Sequence, residues 1–377
     1  MTTNPRRPED RSIRGSNAAY NMNSSLPPGA LTLSLFERRI EGDDCLMELA
    51  RRRFLQAAMG AEMHAGTPGQ LDGLMKFRPS EETPVVVHLP RDFLLTDSRS
   101  QGWILEIASR FAGRVRGLVI HDHADMVWHR EDAVRAAREI DSRLANIDRC
   151  PMLFIEYAVG LEPDAFAGFF ASIRDLARIS ACIDVGHVGI RQARAAYSEI
   201  HPGQDICALK SQDALPPQVM ADMEAAVSAA SASVFDLVER LGAPGKPVHF
   251  HLHDAHPLST FSPFGVSDHL SFLGEIPLRF EYRGRRSVPL MFGPAGLGRI
   301  VAKAIAAIGD VSFTLEIHPT ADRLPLSDDA EPLFGHWRDR TNAEQMNHWL
   351  SVLARNHALL LESINAEPSA GPRSQDG

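Results

Sequence analysis

The sequence predicts an α/β protein built as a single (β/α)8 TIM barrel with extended loops at its carboxyl-terminal mouth. Short apolar runs alternate with amphipathic stretches of helical period along most of the 377 residues, which is the pattern of parallel βαβ units. About eight such runs occur, and that number favours a closed barrel over an open sheet. No Gly-x-Gly-x-x-Gly motif follows the first run, which disfavours a dinucleotide-binding sheet.

The predicted strands are short apolar runs bounded by turn residues. The first two, GALTLSLF and MGAEMHAG, are the weakest candidates. The six clearer ones follow along the chain as TPVVVHLP, RGLVIHDHAD, PMLFIEYAVG, SACIDVGHVG, KPVHFHLHDA and VSFTLEIHP.

The predicted helices lie between these runs and repeat apolar residues at helical spacing. They are DDCLMELARRRFLQA, QGWILEIASRFAG, REDAVRAAREIDSRLANI, PDAFAGFFASIRDLA and QVMADMEAAVSAASASVFDLVERLGA. Both ends of the chain are polar and lack this pattern. We therefore expect a flexible segment over residues 1–28, the barrel domain over 29–362 and a disordered tail over 363–377.

The composition narrows the classes of protein to consider. With 44% hydrophobic and 23% charged residues the chain is globular, and its net charge of −9 argues against a nucleic-acid partner. The four cysteines form no Cys-x-x-Cys pair, so neither a disulfide framework nor a thiolate zinc site is expected. No apolar run suits a signal peptide or a membrane span. We expect a cytoplasmic protein with a small-molecule partner and no membrane partner, and self-association into a homo-oligomer stays open.

Polar, metal-ligating residue types stand where six of the predicted strands end. In a parallel barrel these ends surround the mouth, where active sites lie. The residues are His88, His121 with His123, Glu156, Asp184 with His187, His251 with His253, and Glu316 with His318.

The strand period of two directs these side chains inward. If Leu153, Ile155, Leu315 and Ile317 face the surrounding helices, Glu156 and Glu316 point into the barrel. A buried carboxylate needs a compensating charge, and a divalent metal with imidazole partners provides it. Histidine and carboxylate ligands without thiolate suit Mn²⁺, Zn²⁺, Fe²⁺ or Co²⁺. One histidine or glutamate alone is more often structural, but six strand ends of this kind favour a metal centre.

These residues resemble the xylose isomerase-like TIM barrel superfamily, which includes sugar phosphate isomerase/epimerase-like proteins and endonuclease IV (AP endonuclease family 2). The resemblance lies in the ordered motifs FIEYAVG, CIDVGHVG, FHLHDA, SDHLSFLGE and TLEIHP, and covers roughly residues 30–362. Each motif is weak alone. Their order is specific to the superfamily but not to one activity within it.

The resemblance implies a metal centre and several roles within it. In isomerase- and epimerase-like members the two glutamates also move the proton, and the histidine of the Asp-x-x-His motif contacts substrate. The implied metal ligands are Glu156, Asp184, His251 and Glu316, the catalytic residues are Glu156, Glu316 and His187, and additional ligands of the endonuclease IV type would be His88, His121, His187, Asp268 and His269.

Three function classes follow from this pattern. The leading one is a divalent-metal-dependent isomerase or epimerase acting on a sugar- or polyol-like molecule, with proton transfer by the paired glutamates. The alternative is a multinuclear metal-dependent phosphoester hydrolase, which the presence of both His88 and His121 favours. The third is a barrel that binds a metal without turnover.

Two long segments follow predicted strands and are expected as loops at the mouth. One runs from the CIDVGH motif to about residue 217, and the other runs from the HDAHP motif to Pro289. The second contains the arginine-rich stretch FEYRGRRSVPL, in which Arg283 is a candidate for binding an anionic substrate group.

The stretch HFHLHDAHP contains four histidines that the strand period separates. His249, His251 and His253 share one face. We expect His251 at ligand depth, His249 deeper in the barrel with a structural role, and His253 at the rim as a substrate contact. His256 is assigned to the following loop.

Overall fold

Within the part of the chain that the structure describes, eight parallel strands close into a barrel in the order in which they occur in the sequence. The computed structural model describes residues 30–35, 43–158, 161–211, 216–254, 291–316 and 343–365. The strands are β1 (Ala30–Leu35), β2 (Gly60–His64), β3 (Val85–His88), β4 (Gly117–His121), β5 (Met152–Glu156), β6 (Ile179–Asp184), β7 (Val248–Leu252) and β8 (Val311–Leu315).

Helices alternate with these strands, so the predicted parallel β/α barrel is confirmed. They are α1 (Asp44–Gln56), α2 (Pro68–Met75), α3 (Ser98–Arg110), α4 (Asp125–Trp128), α5 (Arg130–Leu144), α6 (Pro163–Ser172), α7 (Val185–Ile200), α8 (Pro217–Gly242), α9 (Gly293–Ala307) and α10 (Ala343–Asn365), with a 3-10 turn at Ile206–Ser211.

Strands β2 to β8 bury both of their faces almost completely, because the interior fills the barrel and the exterior packs on helices. On β5, Leu153 and Ile155 belong to the large cluster shared with the helices, whereas Phe154 belongs to a small interior cluster with Val86, Val119 and Cys182. This agrees with the predicted alternation on β5. Leu315 on β8 also packs in the outer cluster, while Ile317 lies outside the described residues.

Side-chain caps begin several helices and fix the chain where it leaves a strand or loop. Asp43 accepts the backbone N–H of Leu46 at the start of α1, at 3.0 Å. Thr67 caps α2 and Asp97 caps α3 in the same way. A polar side chain at this position satisfies an N–H group that the first helical turn leaves without a partner.

The segment after β6 corrects one prediction. We expected an extended loop after the CIDVGH motif, but Val185–Ile200 forms α7, which packs along α8. Its buried residues Val188, Ala193 and Tyr197 recur at helical spacing, and the side chain of Asp184 caps its first turn. The second predicted mouth loop, from HDAHP to Pro289, lies almost wholly outside the described residues.

Two further predictions concern the chain ends and membranes. Helix α10 continues to Asn365, slightly beyond the boundary expected at residue 362, because Ile364 is still buried against the barrel. The segment 1–28 and residues 366–377 lie outside the described part of the chain. Among the helices that the structure describes, none has the length and apolar character needed to cross a bilayer.

Candidate metal centre

The polar ends of strands β3 to β8 meet at the carboxyl-terminal mouth of the barrel. The strand register sets their depth: His121 pairs with Glu156 across β4 and β5, and Asp184 pairs with His251 across β6 and β7. Glu316 follows the last residue of β8. Neighbouring strands thus bring these side chains to one level.

Four of these residues form the central group: Glu156, Asp184, His251 and Glu316. One ligand atom from each lies within 4.8 Å of the others. Nδ1 of His251 is 2.6 Å from Oε2 of Glu316, 3.3 Å from Oε1 of Glu156 and 4.0 Å from Oδ2 of Asp184. These are the four residues that the resemblance implies as ligands, and together they could hold a metal ion.

The central group fits a divalent cation on chemical grounds. All four side chains are almost completely buried. Nδ1 of His251 is buried among carboxylate oxygens, and within the described residues none of these contacts has the geometry of a hydrogen bond. Three carboxylates facing one imidazole nitrogen need a positive charge between them. The oxygen and nitrogen donors suit Mn²⁺, Zn²⁺, Fe²⁺ or Co²⁺.

A second group shares Glu156 with the central one. Nε2 of His88 lies 3.0 Å and Nε2 of His121 lies 3.3 Å from the same oxygen, Oε2 of Glu156. His88 donates from Nδ1 to the backbone oxygen of Leu89 at 3.0 Å when that nitrogen carries the proton. In neutral His88 this leaves Nε2 with its lone pair towards Glu156, which is the orientation a metal ligand needs.

A third group shares Asp184 with the central one and contains His187 and His253. Nε2 of His253 lies 2.7 Å from Oδ1 of Asp184. We expected His253 at the rim, but it is completely buried. Gly186 makes room for its ring, because a Cβ atom at that position would lie 2.0 Å from Cε1 of His253.

Glu62 is the polar residue of the site that the sequence analysis missed. It lies on β2 and is completely buried. Its carboxylate contacts His251, His249 and Thr314 beneath the central group. The available signal was a glutamate inside GAEMH, two residues before His64 and therefore on the same face of the strand.

His249 lies below the central group, and both of its ring nitrogens contact polar side chains of the barrel interior. Its Nε2 lies 3.0 Å from Oε2 of Glu62, and its Nδ1 lies 2.6 Å from Oγ of Ser312. Cys182 is its neighbour at this depth, and burial raises the pKa of the Cys182 thiol. A thiol held protonated is a poor metal ligand.

The pKa values of the two histidines beside Glu156 are shifted in opposite directions. Burial lowers the pKa of His88, but its hydrogen bond to Glu156 and the charge of that carboxylate outweigh burial and raise the pKa to about 9. For His121 burial dominates and lowers the pKa to about 4. Burial raises the pKa of Glu156, yet His251, His121 and His88 together bring it well below its usual value. A protonated His88 balances the carboxylate, and metal binding would release that proton.

The remaining candidates lie outside the described residues. These are Asp268 and His269, the implied additional ligands, and Arg283, the candidate substrate contact. The same holds for His256 and His318.

No family model and no curated protein matches the sequence. Among solved structures, the endo-β-1,4-mannanase from Thermotoga petrophila is similar at 9% identity over 88% of this chain and 78% of that chain, with a TM-score of 0.42. A mutant tryptophan synthase α-subunit from Pyrococcus furiosus is similar at 10% identity over 90% of this chain and 100% of that chain, with a TM-score of 0.37.

The carboxyl transferase domain of pyruvate carboxylase from Rhizobium etli is similar at 10% identity, with a TM-score of 0.38. The match covers 91% of this chain and 50% of that chain. Similarities at this level identify neither a family nor an activity. The resemblance to the xylose isomerase-like superfamily therefore stays a prediction from the sequence motifs.

Proposed function

We propose that this protein is a divalent-metal-dependent enzyme with a multinuclear centre, and that it hydrolyses a phosphoester bond in a small molecule. The supporting observation is the position of Glu156, whose carboxylate contacts His88 and His121 on one side and His251 on the other. A carboxylate between two sets of ligands is arranged to bridge two cations. This places the hydrolase above the isomerase, the reverse of the order that the sequence alone favours.

Two of the carboxylates lie between neighbouring groups of ligands. Glu156 would bridge the central group and the His88–His121 group, and Asp184 would bridge the central group and His187 with His253. Bound ions would supply a nucleophile at neutral pH and charge stabilisation for the phosphoryl oxygens. Burial of the ligands keeps their geometry fixed.

A small-molecule substrate is proposed for reasons of charge. The chain carries a net charge of −9, which opposes binding along a nucleic-acid backbone. Arg283 stays a predicted contact for an anionic substrate group. The cytoplasmic location also stays a prediction.

The second candidate is the divalent-metal-dependent isomerase or epimerase of a sugar- or polyol-like molecule. The observation in its favour is that Glu156 and Glu316 both approach Nδ1 of His251, at 3.3 and 2.6 Å. Two carboxylates on one cation could take up and return a proton on the two sides of a bound carbon. This chemistry needs one cation and gives no role to His88 and His121 as ligands.

An activity assay after metal removal tests the proposal. The protein is stripped with a chelator and reloaded with Mn²⁺, Zn²⁺, Fe²⁺ or Co²⁺, then supplied with p-nitrophenyl phosphate, bis-p-nitrophenyl phosphate, and a panel of aldoses and ketoses. We expect metal-dependent release of nitrophenol that His88→Ala and His121→Ala each abolish. Control variant His201→Ala alters a histidine paired with Asp222 and should retain activity. Metal-dependent sugar isomerisation that survives His88→Ala would overturn the hydrolase in favour of the isomerase.

A further inference from the structure

We propose that Glu62 is a positioning residue that holds His251 in the protonation form and orientation required to bind a metal ion through Nδ1. This inference rests on the proposed function, in which His251 is a ligand of the central cation. It assigns a role to a residue on β2, a strand that supplies none of the implied ligands.

Glu62 accepts three hydrogen bonds from groups on β7 and β8. Its Oε1 lies 3.0 Å from Nε2 of His251. Its Oε2 lies 2.6 Å from Oγ1 of Thr314, which donates, and 3.0 Å from Nε2 of His249. The carboxylate is 0% exposed. Three donor groups converge on this one buried carboxylate, and hydrogen bonds to the charged form favour that form.

An ionised carboxylate can only accept hydrogen bonds, so Nε2 of His251 must carry a proton. Neutral His251 then has its lone pair on Nδ1. That nitrogen is the atom which faces Glu156 and Glu316. A metal-ligating histidine commonly donates its other ring N–H to a carboxylate, which fixes the ring and raises its basicity as a ligand.

The hydrogen bonds of His249 are consistent with Glu62 acting as an acceptor. His249 donates from Nε2 to Glu62, so its Nδ1 accepts the hydroxyl of Ser312 at 2.6 Å. Every donor on this side of the carboxylate is therefore already directed at Glu62. A glutamine in its place has one N–H₂ group where the carboxylate has an oxygen. Where that group faces Nε2 of His251, the two donors conflict, and the ring can accept from the amide only if its proton moves to Nδ1.

Metal affinity and the spectrum of bound cobalt test the role of Glu62. Full-length protein is stripped of metal and titrated with Zn²⁺ and Co²⁺, and the visible absorption of the Co²⁺ form reports the ligand geometry. We expect Glu62→Gln to weaken binding at the tightest site by about 10- to 100-fold and to change the Co²⁺ absorption. Glu162→Gln is the matched control, because it makes the same substitution at an exposed residue that pairs with Arg191, and it should leave both readouts near those of the wild type.

A second measurement uses the wild-type protein, so that it does not depend on the folding of a variant. Two-bond ¹H–¹⁵N correlation spectra of the Zn²⁺-loaded protein, with His251 assigned through His251→Gln, should show a proton on Nε2 and coordination through Nδ1. An Nε2 that carries no proton, or one that binds the metal, would overturn this inference alone. The same holds if the Glu62→Gln variant keeps the metal affinity and the Co²⁺ spectrum of the wild type. Wild-type protein that binds neither cation overturns the proposed function as well.

Discussion

Nδ1 of His251 lies 2.6 Å from Oε2 of Glu316, and both atoms are buried at the centre of the barrel mouth. This contact joins β7 to the residue that follows β8. It lies among carboxylates whose mutual repulsion a bound cation would offset. The consequences of that arrangement can be measured residue by residue.

Replacing either central glutamate should remove activity without unfolding the protein. In Glu156→Gln and in Glu316→Gln the amide keeps the size of the side chain but loses the charge that binds the cation and moves protons. We expect a loss of at least about 100-fold in kcat/KM, with the circular dichroism spectrum unchanged. Glu162→Gln is the control, because this exposed residue pairs with Arg191 on the surface. Activity retained in either central variant contradicts the assignment.

Removing the two histidines beside Glu156 should remove one cation and leave the central one. His88→Ala and His121→Ala combined delete both nitrogens within 3.3 Å of Oε2 of Glu156. We expect the metal content to fall by about one ion per chain. His201→Ala provides the control for histidine loss at a distance. A double variant with the metal content of the wild type would show that these histidines bind no cation.

A methyl group at Gly186 should displace His253 from Asp184. The added Cβ would lie 2.0 Å from Cε1 of His253, whose buried ring has little space in which to move. We expect Gly186→Ala to lower the melting temperature and to alter the metal content. The control is Gly168→Ala on α6, where the nearest atom to the new Cβ would be 3.7 Å away, and where alanine favours the helix. Equal stability of the two variants would contradict the close packing of His253.

The buried His357 should make folding stability depend on pH. Burial lowers its pKa from 6.5 to about 4. The unfolded chain therefore binds a proton that the folded chain rejects, and stability falls as the pH drops from about 6.5 towards 4. Relative to His357→Leu, we expect the wild type to lose about 2 kcal/mol in the free energy of unfolding between pH 7.5 and pH 5.

Denaturant titrations at the two pH values measure this loss. Leu353→Ala, on the same helix and also buried, changes stability without changing a titratable group. Its difference from the wild type should be the same at both pH values. A pH-independent difference between wild type and His357→Leu would show that His357 titrates normally.

The alternation of short apolar runs with amphipathic helical segments was sufficient to predict the parallel barrel. Each βαβ unit is visible in the sequence, because its strands and its helix repeat apolar residues at different spacings. The same periodicity directed Glu156 inward and Leu153 outward, as the structure has them. The residues that meet at the mouth could be named because the carboxyl ends of parallel strands converge.

Two features were beyond this reasoning, because each depends on packing between distant elements. Glu62 stands in the middle of a short strand, and its partners His249 and Thr314 are far away in the sequence. His253 is buried because Gly186 admits its ring. Helix α7 is a different case, because its buried residues recur at helical spacing and this period is present in the sequence itself.

The number of cations per chain tests the central claim most directly. Protein purified without chelator, and protein reloaded with Mn²⁺ or Zn²⁺ and freed of excess metal, are measured by elemental analysis against the protein concentration. The shared positions of Glu156 and Asp184 predict two or three ions per chain. A single ion, retained in the variant that lacks both His88 and His121, would contradict the multinuclear centre.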